Sequence, residues 1–215
     1  MDQTSKILVE GNSEMTVLPR ICHICKIEHN FSIESKNSLN ELKKALKTLI
    51  KSTNTLRKLW VIIEADVNFE SAWQSIKDIL LRSGKYEFDI HTPMPEDGFI
   101  IEPIDESDLT IGVWIMPNNK DIGMLEDFLM KLIPVEDSLL PIAESIVNDI
   151  NDNRTKHPGV FKEVHKSKAT IHTWLAWHDA PGESLSVAVQ KRLFATDKDL
   201  CVRFANWLSA LNPSE

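Results

Sequence analysis

The chain has 215 residues, which suffices for one well-packed domain or for one domain with a helical extension. Hydrophobic residues make up 42% and charged residues 26% of the sequence, so long disordered stretches are not expected. The 24 basic and 32 acidic residues give a formal charge of −8, which argues against a protein that coats nucleic acid non-specifically. No apolar run approaches the roughly 18 residues of a membrane span, and no signal peptide is visible. Three cysteines, an odd number, are typical of reduced thiols, so we expect a cytoplasmic protein.

The first part of the chain predicts strands that alternate with helices. In chain order we predict a strand at 6–9, a helix at 14–25, a strand at 30–35, a helix at 39–49, a strand at 59–63, a helix at 69–80, strands at 99–101 and 110–116, and a helix at 124–132. Ser13 and Ser38 are the expected N-caps of the first two helices, and Gly84 ends the third. Pro19 predicts a kink or a late start in the first helix.

The remainder of the chain predicts helices alone, at 138–150, 166–177, 184–194 and 200–211. The alternation before them is typical of an α/β fold, here a mainly parallel sheet of about four strands with helices on both faces. We therefore expect an α/β core at 1–133. We expect a helical C-terminal part at 134–215 that packs on this core to form one compact unit.

Acidic residues follow the predicted strands. In an open parallel sheet, ligands bind beyond the carboxyl ends of the strands. Glu10 follows the first strand, Glu14 lies one helical turn further on, and Glu64 and Asp66 follow the third strand. Glu126 opens the helix after the last strand. Carboxylates in one place repel each other unless a cation or protons compensate, and hard oxygen ligands suit Mg²⁺ or Mn²⁺.

Each of these residues also has an ordinary structural interpretation. Glu10, Glu64 and Asp66 could be acidic residues of strand-end turns. Glu126 with Asp127 could provide favourable charge at a helix N-terminus. The Asn118–Asn119 pair after the last strand is first of all a turn former, and a role in orienting a ligand is the less favoured alternative.

Two segments carry a family resemblance. Residues 8–14, Leu-Val-Glu-Gly-Asn-Ser-Glu, and 61–66, Val-Ile-Ile-Glu-Ala-Asp, resemble the motifs of the TOPRIM family. This is the domain shared by topoisomerases, primases and OLD-type nucleases, and the first segment is similar to the OLD-type version. Segments 114–119, 123–128 and 172–176 resemble a TOPRIM-like family of bacteria and archaea whose function is not established.

The resemblance implies a TOPRIM/Rossmann-like fold and a Mg²⁺-dependent (or Mn²⁺-dependent) phosphodiesterase. Glu10 would be a metal ligand or general acid/base near the scissile phosphate, and Glu64 and Asp66 would coordinate Mg²⁺. Glu14 and Glu126 would complete a second metal site, so that two ions act on one phosphodiester. The implied activity is that of a nuclease on DNA or RNA in defence or repair. An ATPase partner is expected by analogy alone, and a homodimer is a further expectation.

The sequence departs from the family pattern in ways that favour a second hypothesis. Glu64 stands where the family has the first Asp of Asp-x-Asp, residues 34–37 lack an expected glycine, and position 68 is Asn68. With the charge of −8, these changes favour a binding or regulatory module that keeps the TOPRIM fold with weak or no catalysis. Primase-like nucleotidyl transfer is a third, weaker alternative.

The basic cluster that we single out lies between 154 and 172, apart from the lysines on the face of the second predicted helix. A phosphodiesterase needs a cation to offset charge that develops on the phosphate. Lys168 is our choice for this catalytic role and Lys166 the second, with a solvated helix face as the alternative.

Three further features favour structural roles or exclude a function. Cys22-His23-x-Cys25 with His29 resembles half of a zinc site, but structural cysteines are the better interpretation because only Cys201 remains. The six tryptophans lie mostly in apolar elements, which favours core packing over base stacking. No Gly-rich phosphate loop is present, so we expect no ATPase within this chain.

Overall fold

The computed structural model describes residues 4–28, 30–52 and 55–212. Its strands and helices are, in chain order, β1 Ser5–Val9, α1 Asn12–Ile24, β2 Ser32–Ser35, α2 Leu39–Lys51, β3 Lys58–Glu64, α3 Phe69–Arg82, β4 Phe99–Ile101, β5 Thr110–Met116, α4 Leu125–Leu132, α5 Leu140–Asp152, α6 Lys166–Leu175, α7 Leu185–Gln190 and α8 Asp199–Ser209. Short 3₁₀ turns lie at Arg154–Lys156 and Glu163–His165. Within these ranges, no helix has the length and apolar character needed to cross a membrane.

The strands form a single five-stranded sheet in the order β2-β1-β3-β5-β4. All neighbouring pairs are parallel except β4 and β5, which are antiparallel. The predicted α/β fold with a mainly parallel sheet is confirmed, with five strands where about four were expected. The fifth strand, β4, has three residues and occupies an edge, where a short connection to β5 permits antiparallel pairing.

Side chains alternate between the two faces of the sheet, as the strand period of two requires. On β3, Trp60 and Ile62 face a core formed with α1 and with helices α4 to α8. Leu59, Val61 and Ile63 face the other core, which α2 and α3 cover. The central strand is therefore apolar along its whole length, because both of its faces are buried.

The tryptophans confirm the core interpretation with one exception. The buried ones are Trp60, Trp73, Trp114, Trp174 and Trp207. Trp177, beyond the end of α6, is 40% exposed. Trp60 also donates its indole N–H to the Trp207 carbonyl at 3.0 Å, which joins the central strand to α8.

Of the two predicted serine N-caps, one is confirmed and one is wrong. Ser38 caps α2 as expected, since its hydroxyl accepts the Glu41 amide at 3.3 Å. The prediction of Ser13 as the cap of α1 is wrong: the extended residue before the helix is Gly11, so Ser13 already lies in the first turn. Pro19 lies inside α1 and neither starts nor ends it.

The four predicted C-terminal helices are present; α5 ends two residues later than predicted, and α6, α7 and α8 end earlier. The prediction placed Trp177, Phe194 and Leu211 in helices, and all three lie beyond the observed ends. In the segment after α7, Arg192 has a φ of 61°, a left-handed conformation that stops a helix. Phe194 and Leu211 are nevertheless buried. They are apolar because they pack in the core, and not because they continue a helix.

Candidate functional site

Glu10 and Glu64 lie together at one edge of the sheet. Glu10 directly follows β1, and Glu64 is the last residue of β3. Because β1 and β3 are parallel neighbours, their carboxyl ends meet. The Glu64 backbone amide donates to Oε2 of Glu10 at 3.4 Å, so the Glu10 side chain lies across the end of β3.

Glu14 reaches the same edge from the first turn of α1. Its side chain folds back over Gly11, so that a Cβ atom added at Gly11 would lie 2.9 Å from Oε2 of Glu14. Glu14 is only 2% exposed, and its Oε1 has no hydrogen-bond partner among the described residues. A buried carboxylate oxygen without a partner is costly, which indicates a group kept for a ligand or a proton.

The two acidic residues at the start of α4 have different roles. Asp127 stabilises the helix start: its Oδ2 accepts the Met124 amide at 2.9 Å, and its Oδ1 accepts the Ser167 hydroxyl at 2.7 Å. Glu126 is instead 2% exposed, and its Oε2 finds no partner within the described ranges. The helix-charge interpretation therefore fits Asp127. Glu126 belongs instead with Glu10, Glu14 and Glu64 at this edge of the sheet, which we call the acidic edge.

The first turn of α4 also faces Glu64. Oε1 of Glu64 accepts the Leu125 backbone amide at 3.2 Å. Helix N-termini carry partial positive charge and free amides, so they favour an anion at this position.

Lys168 lies next to Glu126, with Nζ 3.9 Å from Oε1. Its side chain is 43% exposed, so the ammonium group can also contact a ligand from solvent. Lys166 lies on the other side of the same turn and lines a cleft with Asp66.

Burial and mutual repulsion raise the pKa values of the glutamates at the acidic edge. Burial, together with the carboxylates of Glu14, Glu126 and Glu10, raises the pKa of Glu64 to about 8, although the Leu125 amide lowers it. Burial is also the main cause of the raised pKa of Glu14, to which Glu126 and Glu10 add. The pKa of Glu126 is raised by burial and lowered by Lys168, with a net increase. At neutral pH this cluster therefore either holds protons or is ready to accept a cation.

Glu10 and Asp66 form the more open part of the edge. Burial raises the pKa of Glu10, and the Asp66 carboxylate contributes in the same direction. Asp66 is exposed and has a φ of 47°, a left-handed conformation that aspartate tolerates. Two backbone hydrogen bonds of 2.9 Å with Gly123 hold it there. Asp66 thus lies at the rim, between two clefts.

A divalent cation fits the chemistry of this edge. The donors are hard carboxylate oxygens, two of them buried without a partner, and the excess negative charge needs compensation. Across the described ranges, no three His, Cys, Asp or Glu side chains are already arranged to hold a metal ion. The donor set is therefore suited to Mg²⁺ or Mn²⁺ in type and charge, and binding requires side chains to adjust.

Lys43 is a neighbour of the site that the sequence did not single out. It lies on α2 and lines a cleft together with Glu64 and Asp66. Its charge lowers the pKa of Glu10, opposing the effect of burial. The signal was available in principle: α2 follows β2, whose carboxyl end lies at the same edge of the sheet.

The asparagines support turns outside the acidic edge. Oδ1 of Asn119 accepts the Ile115 amide at 2.7 Å, and Oδ1 of Asn118 accepts the Asp121 amide at 2.9 Å. Asn68, a departure from the family pattern, caps α3 by accepting the Ser71 amide at 2.9 Å. All three therefore have local structural roles.

Cys22 lies in α1, Cys25 directly follows that helix, and Cys201 lies in α8. Cys22 and Cys201 are buried, Cys25 is half-buried, and all three are free thiols. A hydrogen bond between the Cys25 and Cys201 thiols lowers the pKa of Cys25. His23 is exposed and His29 lies outside the described residues, so the structure gives no support to a zinc site at Cys22 and Cys25.

The fold and its acidic edge define an α/β protein in which four glutamates gather at the carboxyl ends of parallel strands. The chain belongs to the family described as "Protein of unknown function (DUF3226)", whose model matches residues 4–212. No curated protein and no solved structure matches the chain.

Proposed function

We propose that the protein is a Mg²⁺-dependent (or Mn²⁺-dependent) phosphodiesterase of the TOPRIM type, a nuclease that acts on DNA or RNA. The observation that carries this proposal is the meeting of Glu10, Glu14, Glu64 and Glu126 at one edge, with unpartnered buried oxygens on Glu14 and Glu126. Lys168 beside this edge adds a cation that a phosphate ester requires.

The five carboxylates differ in exposure. Glu14 and Glu126 are buried, Glu10 and Glu64 are half-buried, and Asp66 is exposed. All five would hold the ions, which would supply Lewis acidity at the phosphate when bound. This order places Glu14 and Glu126 deep in the site and leaves Asp66 next to the substrate.

Glu10 and Lys168 are the proposed catalytic side chains, together with Asp66. The raised pKa of Glu10 suits a group that accepts a proton from water and later returns it. The half-exposed Lys168 ammonium offsets charge that develops on the phosphate oxygens. Because Lys168 also contacts Glu126, it is held at the site before substrate arrives.

The test is cleavage of plasmid DNA, single-stranded DNA and RNA with Mg²⁺ or Mn²⁺. The wild type should cleave at least one of these nucleic acids, and cleavage should stop when the metal is chelated. The double variant Glu10→Ala with Asp66→Ala should lose this activity. A matched control, Glu106→Ala with Asp152→Ala, removes one glutamate and one aspartate that are both exposed, and it should cleave normally.

A second function is favoured by one specific observation. The Glu64 carboxylate already accepts the Leu125 amide, and the described side chains form no ready three-ligand group. A binding or regulatory module that keeps the fold and works with a partner would not need its carboxylates arranged to hold a metal ion. Titration calorimetry with Mg²⁺ or Mn²⁺ separates the two: a module of this kind would show no metal binding and no cleavage of any of the three nucleic acids.

A further inference from the structure

A row of lysines runs along one face of α2. Lys43, Lys47 and Lys51 follow each other at intervals of four residues, which places them on one side of the helix and spans about 12 Å. They line a groove of about 390 Å³ between α2 and α3, and Arg82 of α3 lines its far side. We call this the α2–α3 groove.

The lysines of this groove have no close ion-pair partner among the described residues. Within the described ranges, Lys43, Lys47 and Lys51 take part in no ion pair, whereas Lys44 on the adjacent face pairs with Glu41 at 2.6 Å. Among the described residues, Asp78 is the one acidic residue that lines the groove, and it lies 3.9 Å from Arg82. Lys43 interacts electrostatically with Glu10, so Lys47 and Lys51 carry the positive charge that pairs with no described carboxylate.

Helix-end effects do not account for the row. Lys51 lies in the last turn of α2, where a cation is stabilised by the helix dipole. Lys43 and Lys47 lie further from that end, and the dipole effect falls off within the last turn. The helix dipole therefore accounts for Lys51 alone.

The groove leads to the acidic edge. Lys43 lines both the α2–α3 groove and the cleft that contains Glu64 and Asp66. The other lysines extend from Lys43 away from that edge along α2. A chain with regularly spaced negative charges could occupy the groove and present one of its esters to the carboxylates.

We infer that the α2–α3 groove binds the sugar-phosphate backbone of a nucleic-acid strand. This inference rests on the proposed function and deepens it, because it gives the substrate class as a polymer and its path as the row from Lys51 to Lys43. Ile50 and Ile79 also line the groove but are almost fully buried. The contacts are to phosphates, so the groove itself carries no sequence preference.

The test measures binding in EDTA, where metal-dependent cleavage cannot occur. Fluorescence anisotropy of labelled single-stranded DNA, duplex DNA and RNA is recorded over a range of salt concentrations. The variant is Lys47→Gln with Lys51→Gln. The matched control is Lys26→Gln with Lys44→Gln, which removes the same charge from exposed positions outside the groove. Thermal unfolding of both variants checks that they are folded.

The groove variant should bind at least one of the nucleic acids about fivefold to tenfold more weakly than the wild type. Loss of two phosphate contacts should reduce the slope of log affinity against log salt by about 1.4 for a single strand. The control should bind like the wild type. Equal loss in both variants, or no binding by the wild type, would overturn the inference.

Failure of the groove and failure of the proposed function give different results. Normal cleavage by the groove variant, with unchanged affinity, would refute nucleic-acid binding in the groove and would not contradict the proposed carboxylate site. Weaker binding by the groove variant in EDTA, without cleavage by any form of the protein, would support the groove and count against the nuclease.

Discussion

The Glu64 carboxylate accepts a hydrogen bond from the Leu125 amide, which ties the end of β3 to the first turn of α4. The two residues are 61 positions apart in the chain. They meet because β5, which precedes α4, is the parallel neighbour of β3. The glutamate that departs from the TOPRIM pattern is thus placed against a helix N-terminus, a position that favours negative charge.

Stability should fall as the pH rises from about 5 to about 8. The folded state holds the pKa of Glu64 at about 8, above its ordinary value of 4.5, so it binds more protons than the unfolded chain in this interval. Stability decreases with pH wherever the folded state binds more protons. Glu10, Glu14 and Glu126 act in the same direction. Urea unfolding at a series of pH values in EDTA measures the effect.

The variant Glu64→Gln should flatten this pH dependence, since an amide has no proton to lose. Added Mg²⁺ should stabilise the wild type most at the alkaline end, because a ligand that binds only the folded state adds RT ln(1 + [L]/Kd). Glu87→Gln, at an exposed position, should retain the wild-type slope. A wild-type stability that is constant from about pH 5 to about pH 8 would contradict the buried-carboxylate account.

Lys168→Met should destabilise the protein at alkaline pH through Glu126. The lysine lowers the pKa of Glu126, so its removal leaves a buried carboxylate with less compensation. The effect should be modest, about 0.5 kcal/mol, because the ammonium group is 43% exposed and is screened by solvent. A double-mutant cycle with Glu126→Gln checks it: in that background, Lys168→Met should have almost no effect. An equal loss in both backgrounds would show that Lys168 acts through its packing alone.

Asp127→Ala should cost about 1 kcal/mol of unfolding free energy, because it removes the acceptor of the Met124 amide at the start of α4. Glu126→Gln should instead leave that helix start intact and weaken the response to Mg²⁺. Denaturation with and without metal distinguishes these two neighbours. If Asp127→Ala abolished metal binding at unchanged stability, the assignment of the two residues would have to be exchanged.

Local patterns in the sequence were sufficient for most of the fold. The apolar run at 59–63 and the alternation of strands with helices predicted the parallel sheet, and the Ser38 cap was correct in detail. The antiparallel pairing of β4 was not predicted, because three residues carry no directional signal. The cap of α1 was assigned to Ser13 since propensity favours serine, but the close approach of the Glu14 side chain is compatible with Gly11 at that position.

The candidate site was predictable as far as it depends on the ends of strands. Glu10 and Glu64 follow from sheet topology, since parallel neighbours end at the same edge. The separate roles of Glu126 and Asp127 were not predictable, because they depend on which way each side chain points from one helical turn. The contact between the Cys25 and Cys201 thiols depends on how α8 packs against α1, and no local pattern records that.

Gly11→Ala should weaken metal binding without unfolding the protein. Gly11 has a φ of −116°, which alanine adopts without strain, so the backbone can accept the change. The added Cβ atom would lie 2.9 Å from Oε2 of Glu14, and the flexible end of that side chain must move away. Alanine is a poorer N-cap than glycine but reduces the entropy of the unfolded chain, and these two effects on stability are of similar size, each below about 1 kcal/mol.

The measurement compares melting temperatures in EDTA and in Mg²⁺ or Mn²⁺ for Gly11→Ala, Ser13→Ala and the wild type. In EDTA the three proteins should melt within a few degrees of one another. The metal-induced increase should be present in the wild type and in Ser13→Ala, whose exposed side chain lies in the same turn. It should be much smaller in Gly11→Ala, since the displaced Glu14 carboxylate no longer lies at the acidic edge. A full metal response in Gly11→Ala would mean that Glu14 is a buried acid of the core and not a ligand.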